Sequence, residues 1–397
     1  MKTIEGINTI PDKIISISAF CLSSKYGDNN SFGQPLGVKT VGFVEVITDK
    51  GVIGYGEAYA AIYIPEIMNE VCKSLEKYFI GRNVKDLSLS SCVSEIPFIG
   101  RNGLLQSISG AIDTAIWDVR GKVLNLPVYK LFETNFQKKE VYYSGGSVIF
   151  NADEIKKEVD QLARSEKFFL YKMRIGHQLW KNDIKRIQAA FEIFNNNNLM
   201  IDAIMGTIRP AWNEKEAREK IDELEDYNIR WIEEPLFPDN IMGLSRLSKS
   251  VNVPLAAGEA YSGITEIETL INLKALKYIQ VDATHTGSYH LCYDLSKKAK
   301  AKNIQSVTHV WGSNLALFAN THMALANENI SLIEIPSVDL ELNKYLNNEG
   351  VIIDKGTISL TDAPGYGILF DDDLKNKFSY IPNSGYFLPL NKNKNEK

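Results

Sequence analysis

The sequence predicts an α/β barrel that follows a smaller α+β domain. From residue 139 onward, short apolar segments alternate with amphipathic segments of helical length, and the apolar segments start about every 20 to 30 residues. Eight such units fit a (β/α) barrel, whose active sites lie at the C-terminal ends of the strands. Seven successive segments carry a charged residue or a histidine at that end. The eight candidate strands are VYYSGGSV, FFLYKMRI, NLMIDA, RWIEEP, VPLAAG, KYIQVDA, IQSVTH and SLIEI.

The first third of the chain lacks this alternation. KIISISAFCL, TVGFVEVIT and GVIGYGEA are strand-like and predict an antiparallel meander, and the apolar spacing turns helical over residues 66–79 and 104–124. We therefore predict an α+β domain over residues 1–135. Between its first two strands, SSKYGDNNSFGQPLG is too polar and too rich in glycine to pack, so we expect a mobile loop of the kind that often carries binding residues.

Length and composition limit the function classes. With 397 residues the chain exceeds a typical domain of roughly 100 to 200 residues, which favours a barrel plus a smaller domain. A net charge of -5 provides no basic surface for nucleic acid or anionic membranes. The four cysteines form no CxxC pair, which argues against zinc and disulfides. Because neither a signal sequence nor a run of about 20 apolar residues occurs, we expect a soluble, cytoplasmic protein that acts on a small molecule.

Three neighbouring strands of the predicted barrel end on carboxylates. LMID ends on Asp202, RWIEEP contains Glu233 and Glu234, and VPLAAGE ends on Glu259. Ionised acids are seldom buried without a partner, so three converging carboxylates require a compensating cation. Lysine or arginine is one alternative, but we expect no basic residue at the ends of these three strands. Oxygen ligands alone suit a hard divalent ion such as Mg2+.

The remaining strand ends carry groups that can move or hold a proton. Asp282 and His309 end successive strands, and a carboxylate beside an imidazole fixes its tautomer and raises its basicity, as a general base requires. His285 lies three residues past Asp282 and either reaches the same cavity or is a loop histidine. The other strand-end groups are Lys172, Arg174 and Glu334.

The chain resembles the enolase superfamily, in its mandelate racemase subgroup, over nearly its whole length. The resemblance implies a modified (β/α)7β TIM-type barrel over residues 136–360, with an α+β capping domain built from the N-terminal part and a C-terminal segment, residues 361–397. We expect the last residues, NKNKNEK, to be disordered, and the protein to be a homo-oligomer. The matching motifs are GYGEA, AIDTAIWDVRGK, YKMRIG, IDA, WIEEP, GEA, VDATHTG and THVWGS.

The resemblance assigns the metal ligands and the base. It implies that Asp202, Glu233 and Glu259 bind Mg2+, and that His309 and Asp282 form the His-Asp dyad of the subgroup. Of the two adjacent glutamates in WIEEP, the family pattern selects the first. The alternation of side chains along a strand would place the second, Glu234, on the opposite side of the strand.

Arg174 departs from the racemases of this subgroup. They carry Lys-x-Lys on this strand, and the second lysine is a base. Arginine stays protonated in proteins, so Arg174 can bind a carboxylate or an enediolate but cannot easily accept a proton. The resemblance implies that Lys172 contacts the substrate carboxylate, and its use as a base stays open, as does a structural ion pair with the carboxylates. Glu334 matches an acid that donates a hydrogen bond to the substrate, for which it must be protonated.

The loops of the capping domain are expected to set specificity. The segment GYGEAYA resembles the second capping loop of the family and contains Tyr59. Together with residues 25–36, which begin at Lys25, it would close over the site. We therefore expect Tyr59, Lys25 and His285 to contact the substrate.

Three functions are consistent with these residues. The first is a Mg2+-dependent dehydratase of an acid sugar, in which His309 removes the proton α to the carboxylate, the metal holds the enediolate and a β-hydroxyl leaves. The second is a racemase, epimerase or cycloisomerase that uses the same intermediate. The third is a non-catalytic metal-binding barrel. Racemisation needs a base on each face of the α-carbon, whereas elimination can proceed with one histidine, so Arg174 favours dehydration.

Overall fold

The structure is a computed structural model, and it describes residues 1–26, 37–337, 340–346, 350–386 and 390–391. Residues 27–36, which form most of the loop predicted between the first two strands, lie outside the described residues. The same holds for residues 392–397 of the terminal segment that the sequence predicts to be disordered.

The N-terminal part contains a three-stranded antiparallel sheet with helices packed against it. Each strand pairs with the next one along the chain, in the order β1, β2, β3. These strands coincide with the three segments that the sequence predicts. The elements are β1 (Ile14–Lys25), β2 (Val38–Thr48), β3 (Ile53–Ala58), α1 (Met68–Leu75) and α2 (Gly103–Leu124).

Helix α2 packs so closely on β3 that two positions of the strand require glycine. A Cβ atom on Gly54 would collide with the main-chain oxygen of Ala115, and one on Gly56 with that of Ala111. The middle of α2 is buried around its whole circumference, as expected for a helix enclosed by other elements. The glycines of the GYGEA motif therefore serve the packing of this domain.

The barrel consists of eight parallel strands, and all eight predicted strands are present. The last strand, β12, pairs in parallel with the first, β4, which closes the barrel. Seven helices connect successive strands, so the expected (β/α)7β arrangement is confirmed. The chain order is β4 (Lys138–Gly145), α3 (Ala152–Ser165), β5 (Tyr171–Arg174), α4 (Trp180–Phe191), β6 (Leu199–Asp202), β7 (Ile208–Arg209), a short strand outside the barrel, α5 (Glu214–Asp222), β8 (Ile232–Glu233), α6 (Ile241–Leu247), β9 (Leu255–Ala257), α7 (Thr265–Leu273), β10 (Tyr278–Val281), α8 (Tyr289–Ala301), β11 (Gln305–Thr308), α9 (Asn314–Leu325) and β12 (Ile330–Pro336).

The interior of the barrel is packed and does not form a channel. Trp231 is fully buried there, and its ring lies edge to face with Tyr142 at a centroid distance of 5.5 Å. Such a core leaves the C-terminal ends of the strands as the place for a site. The buried side chains of this interior cluster are Tyr142, Leu170, Met200, Trp231, Ala256, Tyr278, Val307 and Leu332.

The C-terminal segment returns to the N-terminal sheet. The main-chain N–H of Ser23 in β1 donates to Phe378, and the Ser23 hydroxyl accepts from the N–H of Ile381, both at 2.9 Å. These contacts agree with the proposed capping domain, whose boundaries at residues 135 and 360 stay a prediction. Among the described helices, none is long and apolar enough to cross a bilayer. The remaining elements are β13 (Val351–Asp354), β14 (Thr357–Leu360), α10 (Asp372–Lys377) and β15 (Leu390–Asn391).

Candidate active site

Asp202, Glu233 and Glu259 meet at the C-terminal end of the barrel. One carboxylate oxygen of each lies within 4.8 Å of those of the other two. Burial and the negative charge of Glu233 raise the pKa of Asp202 to about 7, and the same two causes raise the pKa of Glu259 well above its ordinary value. Three hard oxygen donors that repel one another at this distance fit a divalent cation such as Mg2+.

Lys172 contacts this carboxylate cluster, so a basic residue is available to it although none lies at the ends of the three strands that carry the acids. Its Nζ atom lies 2.8 Å from an oxygen of Glu233, 3.6 Å from one of Asp202 and 3.0 Å from one of Glu334. Lys172 reaches them because it is on the neighbouring strand β5 and its side chain points into the barrel. One ammonium group cannot neutralise three carboxylates, and Glu259 adds a fourth, so the cluster keeps an excess of negative charge.

The structure brings His309 and Asp282 together. Nδ1 of His309 lies 2.9 Å from Oδ2 of Asp282. The other oxygen of Asp282 accepts hydrogen bonds from the main chain and hydroxyl of Thr284, each at 2.7 Å, and from the amide of Asn320 at 2.8 Å. These donors keep the carboxylate ionised and fixed, so that it holds the proton of the imidazole on Nδ1 and leaves Nε2 as the acceptor.

Nε2 of His309 is directed toward the carboxylate cluster. It lies 3.6 Å from Oε2 of Glu259, and the ring of Tyr59 packs edge to face against the imidazole at 5.4 Å. Burial alone would lower the pKa of His309. The hydrogen bond to Asp282 and the negative charge of Glu334 outweigh burial and raise this pKa above its ordinary value, which gives the imidazole the basicity of a general base.

Arg174 is on the other side of the cavity. It ends β5, which is separated from β11 by β4 and β12 around the barrel. Its guanidinium donates to the main-chain oxygen of Gly145 at 3.0 Å and to the hydroxyl of Ser144 at 3.1 Å. The group is therefore held in place by β4 and presents a permanent positive charge to the cavity.

The surroundings of Glu334 favour its ionised form, whereas the resemblance implies a protonated acid. Burial acts to raise its pKa, but the charges of Lys172 and His309 lead the opposing contributions and lower the pKa to about 2. One oxygen pairs with Lys172, and the other accepts from the N–H of Val310 at 2.8 Å. In this form Glu334 accepts hydrogen bonds from Lys172 and from the main chain after His309, and its hydrogen bond to a substrate stays a prediction.

Glu234 also differs from the expectation based on strand alternation. Strand β8 ends at Glu233, and Glu234 has a φ of 42°, in the left-handed region that non-glycine residues seldom adopt. Because the backbone turns there, the Glu234 side chain lines a cavity beside Glu259 and does not lie on the far side of the barrel wall. The alternation rule does not apply beyond the end of a strand.

The catalytic groups face a small inner cavity with a volume of about 100 Å³. Its walls combine the charged strand ends with aromatic rings from the capping domain and from the C-terminal segment. Tyr59 lies in this wall as predicted, whereas Lys25 is exposed on β1 and does not line the cavity. The lining residues are Tyr26, Tyr59, Tyr63, Ser147, Arg174, Asp202, Ile204, Thr207, Glu259, His309, Trp311, Ser337 and Tyr386.

Four aromatic wall residues were not predicted. Trp311 lies two residues after His309, and Tyr63 lies four residues after Tyr59. Their nearness in sequence to predicted site residues could have identified both. Tyr26 belongs to the segment 25–36 that the sequence predicts to close over the site, and Tyr386 comes from the C-terminal segment. No pattern in the sequence indicates that Tyr386 reaches the site.

Trp311 is held by a buried lysine, Lys39, which no pattern in the sequence assigns to the site. Nζ of Lys39 lies 3.7 Å from the centre of the Trp311 ring and donates to its main-chain oxygen at 2.8 Å. Burial lowers the pKa of Lys39 to about 7, and the charge of Glu57 acts in the opposite direction. Lys39 is in β2 and Glu57 is in β3, so the capping sheet positions one wall of the cavity.

His285 lies in an adjoining outer cavity with a volume of about 560 Å³. Its Nδ1 atom is 3.2 Å from the hydroxyl of Ser107, and burial lowers its pKa to about 4. His285 does not line the inner cavity. Its contact with substrate therefore stays a prediction that concerns the outer cavity alone.

Fold and site together define a capped α/β barrel enzyme of the enolase type. Residues 154–374 match the family described as "Enolase C-terminal domain-like", and residues 34–132 match "Mandelate racemase / muconate lactonizing enzyme, N-terminal domain". The chain belongs to this mandelate racemase and muconate lactonizing enzyme group of the enolase superfamily.

Individual relatives have different activities. An arabinonate dehydratase of Saccharolobus solfataricus is 26% identical over 83% of this chain and 87% of its own length. An N-succinyl-L-Arg/Lys racemase of Bacillus cereus is 25% identical over 83% of this chain and 88% of its own. The crystal structure of a racemase from Streptomyces coelicolor with bound magnesium has a TM-score of 0.78 at 22% identity, and the match covers 92% of this chain and 99% of that one. Membership in the family therefore establishes that the chain is an enzyme of the enolase superfamily.

Proposed function

We propose that the protein is a Mg2+-dependent dehydratase of an acid sugar. The α C–H bond and the β C–O bond break, water leaves, and the resulting enol tautomerises to a 2-keto-3-deoxy acid. The observation that carries this proposal is the His309 and Asp282 pair, whose free nitrogen lies 3.6 Å from the carboxylate cluster. A base at this position meets the α-carbon of a substrate whose carboxylate lies at the cluster.

Asp202, Glu233 and Glu259 would hold the Mg2+ ion. When bound, the ion supplies positive charge that offsets the negative charge developing on the substrate carboxylate. Lys172 and Arg174 of β5 add two further positive charges, and their role is to bind and orient the carboxylate group of the substrate.

The base has to act twice. His309 accepts the α-proton on Nε2 while Asp282 keeps the other ring nitrogen protonated and stabilises the imidazolium. The same imidazolium then protonates the departing β-hydroxyl, so one residue serves as general base and general acid. Tyr59 packs against the imidazole and limits the ring orientations that are available.

Arg174 is the reason for preferring dehydration. A two-base racemase needs a proton acceptor on the face opposite His309, and a guanidinium does not lose its proton in proteins. The fixed hydrogen bonds of Arg174 to Ser144 and Gly145 support an electrostatic role. The dehydratase among the relatives is compatible with this preference.

Racemisation, epimerisation or cycloisomerisation is the second candidate. The observation that favours it is Lys172, an amine on the same strand as Arg174 that is directed toward the carboxylate cluster. The racemase among the relatives is compatible with this alternative. The two candidates differ in the fate of the α-proton, so one labelling experiment separates them.

The test measures α-proton exchange and product formation together. The protein is incubated with Mg2+ and a library of acid sugars in deuterium oxide, and NMR reads 2-keto-3-deoxy product and the α-position of recovered substrate. We expect keto product from at least one acid, no inverted substrate, and loss of product by about 10²- to 10⁴-fold in His309→Asn. Removal of the metal by EDTA should abolish the reaction, and Mg2+ should restore it. Inverted, deuterated substrate would overturn dehydration, and an unchanged rate in the His309 variant would remove His309 as the base.

A further inference from the structure

The inner cavity and the larger outer cavity share part of their walls. The inner volume of about 100 Å³ is below the roughly 300 to 1,000 Å³ of typical small-molecule sites, whereas the inner and outer cavities together fall within that range. A substrate that places its carboxylate at the inner cavity must therefore extend outward. The walls that the two cavities share are Tyr59, Tyr63, Thr207, Glu259 and Tyr386.

Glu234 is a buried acid in the wall of the outer cavity. Its side chain is 5% exposed, and its Oε1 atom is buried without a hydrogen-bond partner. Buried polar atoms are nearly always hydrogen-bonded, so an exception that lines a cavity indicates a missing ligand.

The neighbouring residues leave room for a ligand at Glu234. A Cβ atom on Gly206 would lie 3.1 Å from Oε2 of Glu234 and 3.3 Å from a ring carbon of Pro238, so a side chain there would narrow the cavity. The positive φ of Glu234 turns its carboxyl group into this space. A backbone conformation of this kind persists where the surroundings enforce it, often at ligand sites.

We propose that the outer cavity binds the distal, hydroxylated end of the substrate and that Glu234 accepts a hydrogen bond from a distal hydroxyl group. This inference rests on the proposed function and narrows its substrate class to monocarboxylic acid sugars that are long enough to reach from the inner into the outer cavity. A second carboxylate at the distal end would be repelled, because the outer wall carries the three acids Glu234, Asp239 and Glu259 against the single guanidinium of Arg209.

Binding in an inactive background tests this inference separately from catalysis. In the His309→Asn protein with Mg2+, calorimetry measures the affinities of three-, five- and six-carbon aldonic acids and of the six-carbon diacids. We expect the longer monoacids to bind more tightly than glycerate. Glu234→Ala should reduce this length preference by about 10- to 100-fold, the range for a lost hydrogen bond to a charged group, and Glu234→Gln should restore part of it.

Two further variants serve as controls. Glu266→Ala removes a carboxylate that also has a buried oxygen without a hydrogen-bond partner but that lines neither cavity, and it should leave the length preference unchanged. Gly206→Ala adds a methyl group 3.1 Å from Oε2 of Glu234 and crowds the carboxyl group within the cavity. It should also reduce the length preference, which keeps the test decisive where Glu234→Ala does not fold.

The outcomes separate the inference from the proposed function. An equal affinity for short and long acids, or a length preference that survives both Glu234→Ala and Gly206→Ala, overturns the distal site while dehydration can stand. Tighter binding of diacids overturns the assignment of a hydroxyl group. Length-dependent binding without α-proton exchange in the active protein leaves the distal site in place and overturns dehydration.

Discussion

At the scale of single residues, Asp282 decides which nitrogen of His309 is free. One oxygen of Asp282 accepts from Thr284 and Asn320, so an amide in Asp282→Asn would keep its oxygen there and turn its NH2 group toward His309. The imidazole would then have to accept on Nδ1 and carry its proton on Nε2, which cannot act as a base. We expect the rate of α-proton exchange, measured by NMR, to fall by about 10²- to 10⁴-fold.

A matched control for this variant is Thr284→Ser, which keeps both the main-chain and the hydroxyl donor to Asp282. It should retain nearly the full exchange rate. Mg2+ affinity should be similar in both variants, because Asp282 is not one of the proposed ligands. An Asp282→Asn protein that exchanges at the parental rate would contradict a role for Asp282 in fixing the tautomer.

The positions of the proposed metal ligands and of the dyad residues could be predicted from the sequence. The ionisation of Glu334 and the backbone turn at Glu234 could not. Asp202, Glu233 and Glu259 end short buried strands, and parallel strands bring their C-terminal ends to one edge. The ionised state of Glu334 depends on Lys172, which is distant in sequence and pairs with it only after the barrel closes. The turn at Glu234 depends on a strand that ends after two residues, and the apolar pattern does not specify that end.

At the scale of secondary structure elements, the contact between β3 and α2 fixes the loop that carries Tyr59. Gly56→Ala would push a methyl group onto the main-chain oxygen of Ala111, and main-chain atoms cannot rotate away. We expect a loss of at least about 1 to 3 kcal/mol in the free energy of unfolding, the usual cost of overpacking, measured by denaturant titration.

Gly6→Ala is the matched control for this packing prediction. A Cβ atom there would lie 3.7 to 3.8 Å from the nearest side-chain atoms, which is ordinary contact, so stability should change little. Equal stability of Gly56→Ala and Gly6→Ala would contradict the close packing of β3 on α2.

The capping sheet also reaches the barrel through a second element contact. Glu57 of β3 accepts from the main-chain N–H groups of Ser313 and Ala316 and thereby caps the N-terminus of α9. A carboxylate at this end of a helix is favourable because it meets unpaired N–H groups and the positive end of the helix dipole. The GYGEA motif thus combines glycines that admit α2 with an acid that fixes α9, and no local pattern in the sequence reveals the second role.

At the scale of the whole molecule, the site is assembled from three separate parts of the chain. The barrel supplies the charged groups, the N-terminal sheet supplies Tyr59 and holds Trp311 through Lys39, and the C-terminal segment supplies Tyr386. The eight strands were predictable because each has a local apolar pattern. The arrangement of the other two parts depends on long-range contacts, such as those of Ser23 with Phe378 and Ile381, that have no periodic signature.

Another long-range contact, between His322 and Tyr129, makes the stability of the whole molecule depend on pH. His322 of α9 is 3% exposed, and its Nδ1 atom accepts from the main-chain N–H of Tyr129 at 3.0 Å. The rings of Tyr129 and Tyr366 lie against it. Burial alone lowers the pKa of His322 to about 3, whereas an unfolded chain has a histidine pKa of about 6.5. The unfolded state therefore binds the extra proton between these two values.

Stability should accordingly fall as the pH decreases from about 6.5 toward 3, with a slope of up to about 1.4 kcal/mol per pH unit from this residue. His322→Asn keeps an oxygen acceptor for Tyr129 but does not titrate. Burial raises the pKa of Asp113 to about 6, so this residue increases stability as the pH falls. Its contribution is the same in the parent and in the variant. Between pH 7 and pH 5 the parent should lose about 2 kcal/mol more unfolding free energy than the variant, as measured by denaturant titration at each pH. Parallel pH profiles for the two proteins would show that His322 is protonated as easily in the folded state as in the unfolded state.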